Sequence, residues 1–357
     1  MNVLFISRAT LYESPGGDTV QILKTAEELR KLNVNVEIGL TSDDFNYEKY
    51  DIVHFFNIIR PADILYHFKK SKINVISTIF VDYTESELYA GTFLRKFITN
   101  FLGVDNAEYL KTIVKSFSGK EKIRSKSFIY KGHYNSVKYL YENADALLPN
   151  SNSEADRLQK KYGITNALLY KIVNSVELTE NVVPNQKYKD AVICVGRIER
   201  RKNQLNLIKA VKELNLTCYI IGKPAINDYG YYELCKEHAT KNVFFINDLP
   251  QHEIYSIMKA AKVHVLPSWF ETTGLVSLEA AYYGCNIVIT NKGDQMEYFQ
   301  DNAFYCEPEN VISIKNAILK AYQVPFNECF RKYIENQYNW KQTAEQTKKC
   351  YLELMNS

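Results

Sequence analysis

Four residues in the C-terminal half of the chain have the types and spacing to act on one anionic ligand: Arg197, Lys202, Glu271 and Glu279. Arg197 and Lys202 stand in Val195-Gly196-Arg197-Ile198-Glu199-Arg200-Arg201-Lys202-Asn203-Gln204, directly after an apolar strand. Two cations so placed can neutralise a diphosphate, each charge-assisted hydrogen bond contributing about 1.5–3 kcal/mol. Arg200 and Arg201 read as a solvated basic turn. Glu271 sits in the loop before an amphipathic helix that opens after Gly274 with Leu275, Leu278 and Tyr282 on one face, and Glu279 lies on its second turn. Between the two carboxylates lie the unpaired N–H groups of the helix start, which together with the macrodipole draw a phosphate. Carboxylates also accept hydrogen bonds from hydroxyls, so a phosphate between two of them points to a nucleotide sugar. Two Glu at this spacing also arise on any solvated helix face. Placement separates the readings: an apolar strand (263–266), the Pro267-Ser268 loop and the helix form one unit, the kind of place where open α/β sheets bind ligands.

Two glycine-bearing segments could add to this set. Gly16-Gly17, between the first strand and the first helix, does not spell G-x-G-x-x-G and so gives a dinucleotide fingerprint little support. Without a Cβ, however, the backbone N–H groups there can approach a diphosphate closely, with Gly17 the favoured contact; the alternative is a plain tight turn. Gly293-Asp294-Gln295-Met296-Glu297-Tyr298 follows a later strand, and Glu297 either orients a neighbouring loop or, as the blander reading has it, caps a helix. The chain holds no D-x-D, the carboxylate pair that grips a diphosphate through a divalent cation, so no metal is expected in the reaction. Seven cysteines without a C-x-x-C pair and six dispersed histidines predict no structural metal either, and reduced thiols in a cytoplasmic protein.

Positioning these residues requires alternating strands and helices, and the sequence supplies them. Strands at 3–7, 34–40, 52–56 and 75–79 alternate with helices at 19–32 and 61–70; a helical stretch follows over 93–143, then strands at 146–149 and 168–173 around a helix at 151–162. Residues 174–190 are polar, contain Pro184, lack either period and read as a linker. A second series then begins, with strands at 191–195, 216–221, 243–246 and 263–266, helices at 205–214, 231–239 and 254–261, and helices at 310–322, 327–337 and 340–355 to finish. The expected fold is α/β, two doubly wound domains over 1–173 and 191–339. A length of 357 residues suits two domains, and a charged fraction of 24% with a net charge of +3 marks an ordinary globular chain without general affinity for nucleic acid. The N-terminus lacks a basic n-region, and no apolar run reaches membrane-spanning length.

Pro267, Ser268, Glu271, Gly274, Leu275, Val276, Leu278, Glu279, Ala280 and Gly284 together resemble the signature of glycosyltransferase family 4, retaining enzymes of the GT-B fold. The resemblance implies two Rossmann-like domains facing across a cleft, with the final helix, 340–357, packing back onto the first. It implies that Glu271 contacts donor-sugar hydroxyls, Glu279 the ribose, and Arg197 and Lys202 the diphosphate, with Thr272, Thr273, Gly274 and Leu275 forming the donor loop and Gly16-Gly17 facing the phosphates. The donor would be a UDP- or GDP-linked sugar, the acceptor a glycan or lipid-linked glycan, and the configuration retained. Three departures stand out: Thr272-Thr273 where relatives carry Phe-Gly, Asn203 where they carry glycine, and no His after the fourth strand. There Asp82 is the candidate for acceptor activation, with Glu85 second and His133 a weaker third. Two other classes fit less well, a GT-B sugar-nucleotide epimerase and a non-catalytic nucleotide-sugar binder. Finally, seven basic residues between Lys111 and Lys131 (Lys111, Lys115, Lys120, Lys122, Arg124, Lys126, Lys131) face a single acid, Glu121, just downstream of Phe93, Leu94, Phe97, Phe101 and Leu102. This pattern fits a helix lying on an anionic membrane surface, and a core-facing helix beside a solvated face is the alternative.

Overall fold

Strands buried on both faces read as near-continuous apolar runs, and Val3-Leu4-Phe5-Ile6 and Ile52-Val53-His54-Phe55-Phe56, broken only by His54, are such runs. The computed structural model, which describes residues 1–13, 15–81, 93–117, 123–247 and 249–357, places them at the centre of a parallel sheet. Two compact units emerge. The first includes Met1–Val81, Phe97–Ser175 and Trp340–Ser357, and the second includes Val176–Asn339. The stretch 174–190 therefore divides at Ser175, and Asn174, Ser175 and Val176 are buried rather than strung out as a linker.

In the first unit, β1 (Asn2–Ser7), β2 (Asn35–Leu40), β3 (Ile52–Phe56), β4 (Ile73–Ser77), β5 (Ala146–Leu148) and β6 (Leu168–Leu169) pair in the order β2-β1-β3-β4-β5-β6, all parallel. Alternation along β1 sends Val3 and Phe5 into one core and Leu4 and Ile6 into the other. Helix α1 (Gly17–Lys31) contributes Ile22, Ala26 and Leu29 to the first core. The helix α2 (Pro61–Ile64) is shorter than the periodicity predicts, because His67 turns away to bond Thr41 O (3.0 Å) and Lys69 takes a left-handed φ of 62°. The helical stretch is α3 (Phe93–Phe117) and α4 (Lys126–Asn143), interrupted by Gly103 (φ 76°) and Gly132 (φ 70°), conformations that glycine adopts without strain. Helix α5 (Asn152–Tyr162) follows β5, and β6 pairs over only two residues of the expected strand.

The second unit runs β7 (Val192–Val195), α6 (Gln204–Val211), β8 (Cys218–Ile221), α7 (Tyr229–His238), β9 (Val243–Ile246), α8 (Gln251–Ala260), β10 (Val263–Leu266), α9 (Leu275–Tyr282), β11 (Asn286–Thr290), α10 (Gln295–Phe299), β12 (Ala303–Cys306), α11 (Val311–Gln323) and α12 (Glu328–Gln337). Its parallel sheet has the order β12-β11-β10-β7-β8-β9, so the strand order reverses between β7 and β10. That reversal leaves a crevice outside the strands' carboxyl ends, the usual ligand position in a doubly wound sheet. Neither β12, with half-exposed Ala303, Phe304 and Tyr305, nor the five-residue α10 had a clear period to announce it. Helix α13 (Trp340–Asn356) belongs to the first unit, where Ala344, Cys350 and Tyr351 complete the core around α1. The Tyr351 hydroxyl meets His54 Nδ1 at 2.5 Å and Ser77 Oγ meets Nε2 at 2.9 Å; burial pushes His54 down to about 3, so its imidazole stays neutral.

Candidate active site

The loops that leave β7 and β10 carry the sequence-predicted residues, and both open at the reversal of strand order. After β7 the chain turns through Arg200–Lys202 into Asn203, whose φ of 59° is left-handed. Asparagine tolerates that conformation better than other non-glycine residues, which explains how it replaces glycine here. Its side chain adds what glycine could not, donating to Pro267 O (3.0 Å) in the loop after β10 and to Pro308 O (2.7 Å). The two loops are thereby stapled together. Trp269 N also donates to Arg201 O at 2.9 Å.

Across this staple lies an ion cluster built on the buried Glu271. Lys202 Nζ is 2.5 Å from Glu271 Oε1, and Arg201 Nη1 is 3.3 Å from the same oxygen and 3.2 Å from Phe270 O. Arg201 Nη2 reaches Glu199 Oε1 at 3.1 Å, and Arg197 Nη1 stands 4.0 Å from Glu199 Oε2. Burial works to raise the Glu271 carboxyl, but Lys202 and Arg201 outweigh it and hold the group below its ordinary value; burial lowers Lys202, opposed by Glu271. Arg201 is thus part of the cluster rather than a solvated turn residue, and the sequence carried no signal separating it from Arg200, which pairs with Asp228 at 3.1 Å. Arg197 differs from Lys202 in exposure, with 49% of its side chain accessible against 13%.

The Glu271 backbone is clamped from the next strand's loop. Asp294 N donates to Glu271 O at 2.9 Å, and a Cβ on Gly293 (φ 95°) would collide with that oxygen. Gly274 caps α9 in the left-handed region (φ 70°), and a side chain there would run into the Gln295 amide. Around this helix start, the buried Thr273 Oγ1 and both polar atoms of Gln295 lack a hydrogen-bond partner among the described residues. Buried polar groups left so are uncommon, and three such atoms gather at this helix start. Gln295 was not foreseen as a site residue, because it lies in a segment whose notable residue by pattern was Glu297. Leu275 and Thr272 are half-buried beside it. One turn on, Glu279 accepts a long bond from Tyr255 OH (3.4 Å), and burial raises its carboxyl to about 7.

Residues 176–340 match the family model described as glycosyl transferases group 1. That match spans the second unit. Across 82% of this chain and 83% of its own, the N-acetylgalactosamine-N,N'-diacetylbacillosaminyl-diphospho-undecaprenol 4-alpha-N-acetylgalactosaminyltransferase of Campylobacter jejuni is 22% identical. Sucrose-phosphate synthase from Thermosynechococcus elongatus superposes with a TM-score of 0.74 at 14% identity, covering 100% of this chain and 99% of that one. Anabaena HepE, solved with UDP and glucose, superposes with a TM-score of 0.67 at 13% identity over 99% of this chain and 100% of its own. The fold is that of the GT-B glycosyltransferases.

The remaining candidates are in the first unit, in α10 of the second, or outside the described residues. Gly16 N-caps α1 in an extended conformation and donates its N–H to Thr19 Oγ1 (3.1 Å), while Gly17 opens the helix. Arg8 grips Asp18 with two bonds of 2.8 and 3.1 Å, fixing this loop. His133 is held at both ring nitrogens, by Asp105 Oδ1 (3.3 Å) and Ile59 O (3.1 Å), which makes it a tie between α3 and α4 rather than a base. Asp82 and Glu85 lie outside the described residues. Glu297 opens α10, where its N–H bonds Asp294 O (3.0 Å). Among the described residues no group of His, Cys, Asp and Glu could hold a metal ion.

Proposed function

We propose that the chain is a retaining, metal-independent hexosyltransferase that moves a sugar from a UDP- or GDP-linked donor to a glycan or lipid-linked acceptor in cell-surface polysaccharide biosynthesis. The observation that carries the reading is the cluster of partly buried Lys202 and Arg201 on the buried Glu271 beside the start of α9, at the reversal of strand order. An ammonium has three N–H donors, so the bond to Glu271 does not exhaust Lys202. In the reaction the bond between the anomeric carbon and the diphosphate oxygen breaks, a bond to the acceptor oxygen forms on the same face, and the acceptor proton passes to the departing phosphate. Lys202, Arg197 and the α9 N–H groups take up the charge that develops on the diphosphate, with Glu271 orienting sugar hydroxyls and Glu279 the ribose. A single well-placed donor of this kind is worth about 10²–10³ in rate. Support for a lipid-linked acceptor comes from the Campylobacter relative, whose name specifies a diphospho-undecaprenol substrate, and support for UDP from the HepE complex.

We further propose that the protein works at the inner face of the cell membrane, with α3 on an anionic leaflet. No described side chain of α3 is buried, while Leu110, Val114 and Phe117 recur along one exposed face beside Lys111 and Lys115. The rest of the basic stretch includes Lys120 and Lys122, outside the described residues, and Arg124, which binds Asp44 and stacks on Tyr66 at 3.9 Å. No described helix is long and apolar enough to cross a membrane.

Incubation with a panel of UDP- and GDP-sugars, in chelator and with lipid-linked acceptors, tests the enzyme reading. Transfer with the anomeric configuration retained is expected. Loss of activity in chelator with recovery on magnesium, an inverted product, or an epimerised donor formed without acceptor would each overturn it. Co-sedimentation with anionic vesicles at low salt, but not with neutral vesicles, is expected for the membrane role, and equal pelleting from both would refute it.

A further inference from the structure

Helix α5 begins with Ser151-Asn152-Ser153-Glu154, the pattern of a capping box, and Ser151 Oγ does accept from Glu154 N at 2.9 Å. The Glu154 carboxylate, however, does more than cap. It is fully buried, and while Oε2 accepts from Asn150 N (2.8 Å), Oε1 turns to a segment 74 residues away, accepting from Phe80 N (2.6 Å) and Thr78 Oγ1 (2.5 Å). The same helix supplies Arg157, whose Nη2 donates to Phe80 O at 3.4 Å, so side chains of α5 hold both polar groups of one backbone residue. Between Thr78 and Phe80 stands Ile79 with a φ of 43°. A β-branched residue in the left-handed region costs roughly 1–2 kcal/mol and persists only where its surroundings over-determine it. The turn sends Ile79 into one core of the first unit and Phe80 into the other.

Burying a carboxylate is expensive unless every oxygen is satisfied, and a helix cap alone does not require it. Strained backbone positions of this kind cluster at active sites and ligand clamps. This segment leaves the carboxyl end of β4, and Asp82 and Glu85, the acceptor-activating candidates, follow Phe80 by two and five residues in sequence. We infer that Glu154 is a positioning residue for the transfer reaction, acting through the Ile79–Phe80 turn without touching either substrate. The inference rests on the proposed transferase activity.

The test compares Glu154→Ala, Glu154→Gln and Thr78→Val with wild type in four measurements: urea midpoint, hydrogen exchange of the peptide containing residues 78–81, UDP affinity, and kcat and KM with the nucleotide sugar that wild type turns over. Misplacing a reacting group by an ångström can cost about 100-fold, and a kcat loss of that order per folded molecule is expected for Glu154→Ala, with faster exchange at 78–81 and unchanged UDP affinity. Thr78→Val should lose less, and Glu154→Gln, which keeps one oxygen for Thr78 and Phe80, should recover much of the rate. If Glu154→Ala does not fold, the other two decide. An unchanged kcat per folded molecule, or a loss that follows UDP affinity, overturns the inference. A wild type that turns over no nucleotide sugar refutes the transferase activity itself and the inference with it, and is recognised without any variant.

Discussion

Replacing Glu279 by glutamine should make the protein more stable at pH 8 and not at pH 4.5. In the unfolded chain this carboxyl titrates at its ordinary 4.5, whereas burial raises it to about 7 in the fold, and the gap corresponds to about 3 kcal/mol. Solvent reaching the partly exposed group trims the figure to about 1–3 kcal/mol. The sign follows from proton binding. Between pH 4.5 and 7 the native state holds a proton that the unfolded chain releases, so the stability Glu279 contributes is fully present below 4.5 and is lost as pH rises through 7. The glutamine side chain carries no charge at any pH, so the difference in urea midpoint should open across that window and then level off. Because all other groups titrate in both proteins, the difference isolates this carboxyl. Nucleotide binding should move the other way: ribose hydroxyls donate to the ionised form, so UDP affinity of wild type relative to the variant should rise by up to about tenfold per pH unit below 7. A stability difference that stays flat between pH 4.5 and 7 would refute the argument, since it would mean that the carboxyl is not held against its charge.

Arg197→Ala should lower transfer strongly while leaving stability within about 0.5 kcal/mol, as its side chain is half exposed. Lys202→Ala and Glu271→Ala should lower both, each stranding a buried partner at a cost of up to about 3–5 kcal/mol; calorimetric melts should find the double variant Lys202→Met/Glu271→Leu less destabilised than the sum of the singles. Gly293→Ala forces a Cβ onto Glu271 O and should abolish transfer with a stability loss of at least about 1–3 kcal/mol, read by activity and urea unfolding. Asn203→Gly removes the left-handed cost but also the bonds to Pro267 and Pro308, so a net loss of roughly 1–2 kcal/mol is expected, and a stabilised variant would show that the staple contributes nothing.

The alternation of strands and helices was legible because strands buried on both faces are almost wholly apolar: Val3–Ile6 is, and Ile52–Phe56 and Val263–Leu266 depart from it only at the buried His54 and His264. Elements without that requirement escaped: β12 is half exposed and α10 has only five residues. Of the candidate site, Arg197, Lys202, Glu271, Gly274 and Glu279 were named from the sequence, and they lie on the loops after β7 and β10 and on α9. What could not be read was pairing across loops. That Lys202 bonds Glu271, 69 residues away, and that Arg201 joins them while Arg200 turns to Asp228, depends on the strand order, which brings the ends of β7 and β10 side by side. His133 shows the converse, a residue of catalytic type whose two ring nitrogens are both engaged, one by Asp105 of α3 and the other by the Ile59 carbonyl.

The same pairing bears on how the site can meet an anion. Arg197, Arg201 and Lys202 bring three positive charges and Glu199 and Glu271 two negative ones, so the cluster stands one charge positive at the end of α9 where the helix N–H groups add more. Had the three cations been alone, their mutual repulsion and desolvation would have driven the lysine neutral or out to solvent. Glu271 opposes the lowering that burial imposes on Lys202 and holds it in place, while occupying one of its donors. Binding the proposed diphosphate would then require no new ordering of Lys202 and Arg201, since the salt bridges and the Asn203 staple already fix them, and only the half-exposed Arg197 would remain to be ordered. Electrostatic stabilisation is most effective when its groups need no reorganisation as charge develops. For that reason loss of Glu271 should slow transfer more than the loss of sugar contacts alone, because it also unfixes the cation that the leaving group needs.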